Sequence, residues 1–412
     1  MTKSQPKMAP TRPSKKAKAK SRSQHKKSTA ASTKPAKQLL AEATALLEQG
    51  DATGAVTTAR AALDAALEND DTRACAAHML LGEINVELGE IDTARTHFLE
   101  ASRLDEDGSL AEELGGGPEK FNWLAQLSEE GGADSVVWFE RAAACLRAQV
   151  QTLGVAADEA RRKGSARGTA EKEIEAAASE KKKKLSETLC AVAEVYMTDL
   201  SWEEDAEARC EALITEATML APELPDAWQT VANVRVSQSR RDDAVAALER
   251  SMALWTDLEP EDPGVPPFPS RVSLARLLIE CDLQQKAVEV CDRLVLDDDG
   301  SVEAWYLGGM AHYTLGEKGK LEASSTENGD KSAEPKDTWK KEWVRARQWL
   351  SQCLLLFEAQ EYEDERLGEH AKELLAMVNA EVGDLPDEDD EDEDGAGWED
   401  VDEDGDEDMD QS

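Results

Sequence analysis

A chain of 412 residues has room for one long solenoid or two to three ordinary domains. Aromatic residues make up only 5% while Ala, Leu and Glu dominate, which favours helix and argues against a β-sandwich. The net charge of −40 disfavours contact with nucleic-acid phosphate. No apolar run is long enough to span a membrane, and no apolar core follows the N-terminal charges as a secretory signal requires.

Residues 1–35 are rich in Lys, Ser, Ala and Pro, and cannot build a core. They are expected to be a disordered basic tail. Residues 1–38 hold twelve Lys/Arg and no Asp/Glu. The tract from Ser14 to Arg22 reads either as a nuclear-import signal or as a solvated basic tail.

Helical periodicity begins near Ala36, and it repeats. The first stretch places Leu39, Ala43, Leu46, Gly50, Ala55, Ala59 and Ala62 at spacings of three to five residues. The second has Leu81-Gly82, Gly89, Ala94, Phe98 and Ala101. A third covers about 118–150 with Phe121, Leu124-Ala125, Gly132 and Ala144, where Trp138-Phe139 competes for the buried register. The fourth has Leu189, Ala193, Tyr196, Cys210, Ile214 and Ala217, with a turn around Asp199–Asp205 about five residues too long. The fifth shows Trp228, Ala232, Ala244 and Leu248, the sixth Leu274-Ala275, Leu278, Ala287, Cys291 and Leu294. In the seventh, Trp305 to Gly309 form a first helix and Gly316 its turn. Small residues at these offsets let two antiparallel helices touch, which is the tetratricopeptide-repeat (TPR) pattern. The expected fold is therefore all-α: a TPR-type solenoid over 36–383 of about seven helix pairs. Trp339–Phe357 returns as a helix, and an amphipathic helix near 363–382 should cap the stack.

Three inserts interrupt the array. Residues 151–184 should prolong the flanking helices, 256–269 with five prolines should be a loop, and polar 317–338 should be a mobile loop. Residues 384–412 end the chain as an acidic tail with seventeen Asp/Glu after residue 385 and no Lys/Arg. That tail cannot fold alone, and it serves either to shield a basic client or simply to keep the chain soluble.

Seven cysteines form no C-x-x-C, and the five histidines do not cluster with them, so no metal set is expected. They are expected to be reduced and mostly buried, as in a cytosolic or nuclear protein. Nucleotide-binding and hydrolase motifs are absent; Gly115-Gly116-Gly117-Pro118 lacks the Lys-Ser/Thr of a phosphate loop. No catalytic residues and no cofactor are expected, and the chain is not expected to be an enzyme.

A TPR array binds through its first helices, which line the concave side. The register places Glu48, Met79, Glu83, Val86, Glu87, Glu119, Glu129 and Glu130 there from the first three pairs. Glu187, Glu194, Met197, Val236, Ile279, Glu280, Glu303, Tyr306 and Tyr313 come from the rest, with Arg276 as the exceptional cation. Such a groove suits an extended basic segment with apolar anchors, although composition alone supplies many solvated glutamates. The Lys and Asn pair that clamps a C-terminal carboxylate in co-chaperones is missing.

The segment Gly116-Gly117-Pro118-Glu119-Lys120-Phe121-Asn122-Trp123-Leu124-Ala125-Gln126-Leu127, with Glu129 to Gly132, Ser135 to Glu140 and Gly397-Trp398-Glu399-Asp400-Val401, carries a resemblance. The chain resembles the fungal TPR assembly chaperones of large-subunit ribosomal protein four. The resemblance implies a basic client, whose long internal loop is held in the concave surface. It also implies shuttling between cytoplasm and nucleus, where the client is given up at the pre-ribosome, and a nuclear import receptor as possible partner. An acidic TPR histone chaperone and a scaffold subunit of a larger complex stay open as alternatives.

Overall fold

The computed structural model describes residues 34–69, 71–162, 168–325, 338–383 and 385–386. The basic N-terminal tract, most of the acidic tail and the middle of the last insert lie outside them. Among the described residues there are fifteen α-helices and no strand. They fall into two compact units that divide after Leu127.

The first unit holds α1 (Ala36–Glu48), α2 (Ala52–Glu68), α3 (Ala74–Glu87), α4 (Ile91–Leu104), a 3-10 turn (Glu112–Leu114) and α5 (Glu119–Gln126). Alanine lets the helices approach: Ala43, Ala55, Ala59 and Ala62 are fully buried. Gly50 turns the chain with φ +80°, and the Asp51 carboxylate then accepts from the amide of Gly54 at 2.9 Å to start α2. In the next pair, Gly82 lies flat under the Phe98 ring, which leaves no room for a Cβ. α5 packs on α4, and Arg95 donates to the carbonyls of Leu124 and Leu127 at its end (2.9 and 3.1 Å).

The second unit begins with α6 (Gly132–Arg162) and α7 (Gly168–Met197), which pack along each other. These two long helices take up most of the insert expected at 151–184. The third helix pair anticipated at 118–150 is thus divided: α5 belongs to the first unit, and α6 pairs with α7. The register competition is won by Phe139, which is buried with Ala142, Ala143, Cys145 and Leu146, while the expected contact residue Ala144 faces solvent.

Next come α8 (Ala206–Leu220), α9 (Pro225–Ser237), α10 (Arg241–Met252), α11 (Phe268–Glu280) and α12 (Gln284–Asp297). The proline-rich connection before α11 is a loop anchored by buried Trp255 and by Arg293, which donates to the carbonyls of Thr256 and Leu258. Pro269 sits inside the first turn of α11, where a missing amide costs nothing.

The unit closes with α13 (Val302–Ser325), α14 (Thr338–Ala359) and α15 (Glu365–Val382). Here one expectation is corrected. Gly316 is not a turn, and residues 317–325 are not loop but helix. Gly308, Gly309, Gly316 and Gly319 instead face Trp349, Leu350, Trp343 and Trp339 of α14. The glycines make room for indoles across the helix pair. α15 covers α14 with Ala371, Leu374, Val378 and Val382 and turns Glu369, Lys372 and Glu373 outward, as a terminal cap should.

Candidate functional site

Within each unit the first helices of successive pairs meet one another. α1 meets α3 in the first unit; α7, α9, α11, α13 and α15 meet in series in the second. Most of the expected binding residues lie on these helices.

In the first unit, Glu83 and Glu87 stand one turn apart on α3, and Glu119 opens α5. Burial raises the Glu83 carboxyl above its ordinary value, and the charges of Glu119 and Glu87 push it the same way. Three of the expected carboxylates are therefore brought together. Val86 is half-buried beside them, whereas Met79 is buried and offers almost no surface. Glu48 is exposed at the end of α1. Glu129 and Glu130 are not on a helix face. α5 is only eight residues long, so both fall in the exposed turn that follows it.

A second carboxylate group forms in the second unit. Glu187, Cys190, Glu194 and Met197 succeed each other on α7 at helical spacing, and Asp226 opens α9. Glu194 is open to solvent yet hemmed in by protein; burial raises its carboxyl, and Asp226 adds to the effect. The Cys190 thiol, pushed up to about 12 by burial, feels Glu194, Asp226 and Glu187 as well. Met197 borders a 390 Å³ cavity with Tyr196, Cys210 and Val234.

The remaining candidates are tied to the protein itself. Val236 and Ile279 pack partly into the core, and Glu280 is exposed. Arg276 forms an ion pair with Glu303, so the exceptional cation neutralises one of the expected acids. The Tyr306 hydroxyl lies 2.7 Å from His370 Nδ1 on α15, and the Tyr313 hydroxyl donates to Glu317 at 2.9 Å. Tyr313 also stacks on Trp343. A further cation of this row, Arg235 on α9, turns back to the Glu211 carboxylate of α8.

All seven cysteines are buried and free of disulfides. Among the described residues no group of three or more His, Cys, Asp or Glu is placed to hold a metal, and no helix is long and apolar enough to cross a membrane.

No family model matches the chain. Individual relatives do. A protein of Emericella nidulans named "Probable assembly chaperone of rpl4" is 43% identical over 382 residues, 90% of each chain. The chain belongs to the family of rpl4 assembly chaperones. A Schizosaccharomyces pombe protein of the same name is 28% identical over 321 residues, covering 78% of this chain and 84% of its own. A solved structure, "Assembly Chaperone of RpL4 (Acl4) (Residues 1-338)", is 62% identical, spans 71% of this chain and 100% of its own, and superposes with a TM-score of 0.63.

For this member of the family, sequence reasoning missed Asp226. It sits just after Pro225, where an acid reads as an ordinary helix start. The only signal was its place in the register, at the opening of a first helix.

Proposed function

We propose that the chain holds newly made ribosomal protein rpl4 on the acidic inner faces of its helix stacks and escorts it, still soluble, to nuclear pre-ribosomes. The carrying observation is the pair of carboxylate groups, Glu83–Glu87–Glu119 on one unit and Glu187–Glu194–Asp226 on the other, in which burial and neighbouring carboxylates raise the proton affinity of Glu83 and of Glu194. Carboxylates held together at that electrostatic cost gain most from a cationic guest, which relieves the repulsion as it binds. Half-buried Val86 and Met197 offer apolar contact beside the charges. The names carried by the relatives supply the guest's identity, and an extended internal loop is the form of guest that suits such a row. The role is binding, with no bond made or broken and no nucleic acid or membrane contacted directly.

Isolation of the protein from actively translating cells tests the partner. Stoichiometric rpl4 is expected, and histones in its place would contradict the reading. Escort also requires the tagged chain in both cytoplasm and nucleus, entering with an import receptor through its own basic tract or through signals on the client. Confinement to the cytoplasm would contradict the escort step.

A further inference from the structure

We propose that the acidic C-terminal tail docks on a basic, indole-lined corner formed by the second half of α13 and the start of α14, with Trp398 seated in the cavity there. The corner carries more cations than acids. The first ten residues of α14, Thr338 to Arg347, carry Lys340, Lys341, Arg345 and Arg347 against the single acid Glu342, which pairs with His312 at 2.8 Å. α13 adds Lys318 and Lys320. Lys320 Nζ lies 5.3 and 4.8 Å from the ring centres of Trp339 and Trp343, and Lys340 Nζ lies 5.6 Å from Trp339. The α14 N-terminus has no acid in its first turn, so its dipole adds positive potential.

Between these groups opens a cavity of about 620 Å³, bordered by Lys318, Lys320, Leu321, Trp343 and one acid, Glu317. Leu321 on its rim is 71% exposed. An apolar and cationic lining of this kind fits an indole, through ring contact with Trp343 and cation–π attraction to Lys320.

The position of the chain end supplies the occupant. Lys320 pairs with Glu381 at 2.8 Å, and Arg347 donates to the carbonyls of Val382 and Leu385 at 2.9 and 2.7 Å. The chain thus leaves α15 directly beside the corner. The sequence beyond Leu385 holds seventeen acids, no cation and a single aromatic, Trp398. A tail that served solubility alone would have no use for an indole. Trp398 is thirteen residues past Leu385, a reach of at most about 47 Å. Tethering at that length sets an effective concentration on the order of millimolar, so even weak contacts fill the site. RNA phosphate has the right charge for the corner but must approach a body of net charge −40. A docked tail would keep such foreign polyanions off.

The test uses the full chain with Trp398→p-benzoylphenylalanine, irradiated in dilute solution and mapped by mass spectrometry. Cross-links within one chain, to residues 314–321 and 339–347, are expected. The exposed substitution Lys341→Glu, alone and with Lys320→Glu, should lower their yield by about fivefold or more at unchanged helicity, and about 1 M salt should do the same to the unsubstituted corner. Cross-links scattered over the acidic helices, formed only between copies, or indifferent to Lys341→Glu would overturn the proposal. So would a corner that gives no tail cross-link but retains labelled single-stranded RNA until Lys341→Glu releases it.

Discussion

The ammonium of Lys120 lies 2.7 Å from Oδ2 of Asp105, and the two side chains are 0% and 2% exposed. The same ammonium donates to the carbonyl of Gly117 at 2.7 Å, and the other oxygen of Asp105 accepts from the amide of Leu110 at 3.0 Å. The pair thereby ties the long connection between α4 and α5 into the first unit. Lys120 is the charged centre of the Gly-Gly-Pro-Glu-Lys-Phe segment that carried the family resemblance.

Breaking one side of that pair leaves a buried charge without its counter-ion. Lys120→Met or Asp105→Leu alone should each lose about 3–5 kcal/mol of unfolding free energy. The double replacement Asp105→Leu with Lys120→Met should recover a large part of it. Urea unfolding of the four proteins measures the cycle; additive losses would show that the two groups do not depend on each other.

A methyl group at position 82 has nowhere to go but the Phe98 ring. Gly82→Ala should therefore destabilise by about 1–3 kcal/mol, even though alanine is the better helix former by about 1 kcal/mol. Gly89→Ala is the control: it has open space but φ +74°, so its cost is the left-handed backbone alone, about 1–2 kcal/mol. A thermal melt in which Gly82→Ala is neutral would mean that α3 and α4 separate freely.

The contrast among these residues shows what was legible in the sequence. The helix pairs were, because Ala43, Ala59, Gly82, Ala275 and Ala287 recur at the offsets where two helices must touch. Gly316 misled, since a glycine that ends a helix and one that admits a tryptophan look alike until Trp343 is known to lie opposite. Lys120 was not singled out, for nothing in the sequence marks a lysine as buried until its partner, fifteen residues away across a loop, is in view. The carboxylates of α3 and α7 were legible as helix-face positions. Asp226 was not singled out, because its membership of the second group depends on how α9 lies against α7. Glu129 and Glu130 were assigned to a helix that ends three residues too early.

The Glu83 carboxyl is raised above its ordinary value of 4.5 by burial and by two like charges. Its ionised form therefore costs the folded state more than the unfolded one. Stability linked to this group is present in full below the unfolded value and is lost as pH rises through the folded one. Glu83→Gln should melt higher than the native chain near pH 7, with the gap closing as pH falls below about 4.5. A constant difference across that range would show that Glu83 is not crowded by Glu87 and Glu119.

Arg276 cancels Glu303 on the α11–α13 face. Replacement by alanine should free that carboxylate and tighten binding of a cationic client. The gain is bounded by the roughly 0–1 kcal/mol of an exposed pair, at most about fivefold in Kd. Weaker binding in Arg276→Ala, measured by titration calorimetry, would place Arg276 among the contacts rather than against them.

Titration of the full chain with rpl4, repeated from about 0.1 M to about 1 M salt, bears most directly on the acidic inner surface, because screening shortens from about 10 Å to about 3 Å over that range. Affinity should fall by more than about tenfold with salt. A chain carrying Glu83→Lys, Glu87→Lys, Glu187→Lys and Glu194→Lys should bind at least about tenfold more weakly at low salt while keeping its helicity. An affinity that changes with neither salt nor these four charges would contradict the account.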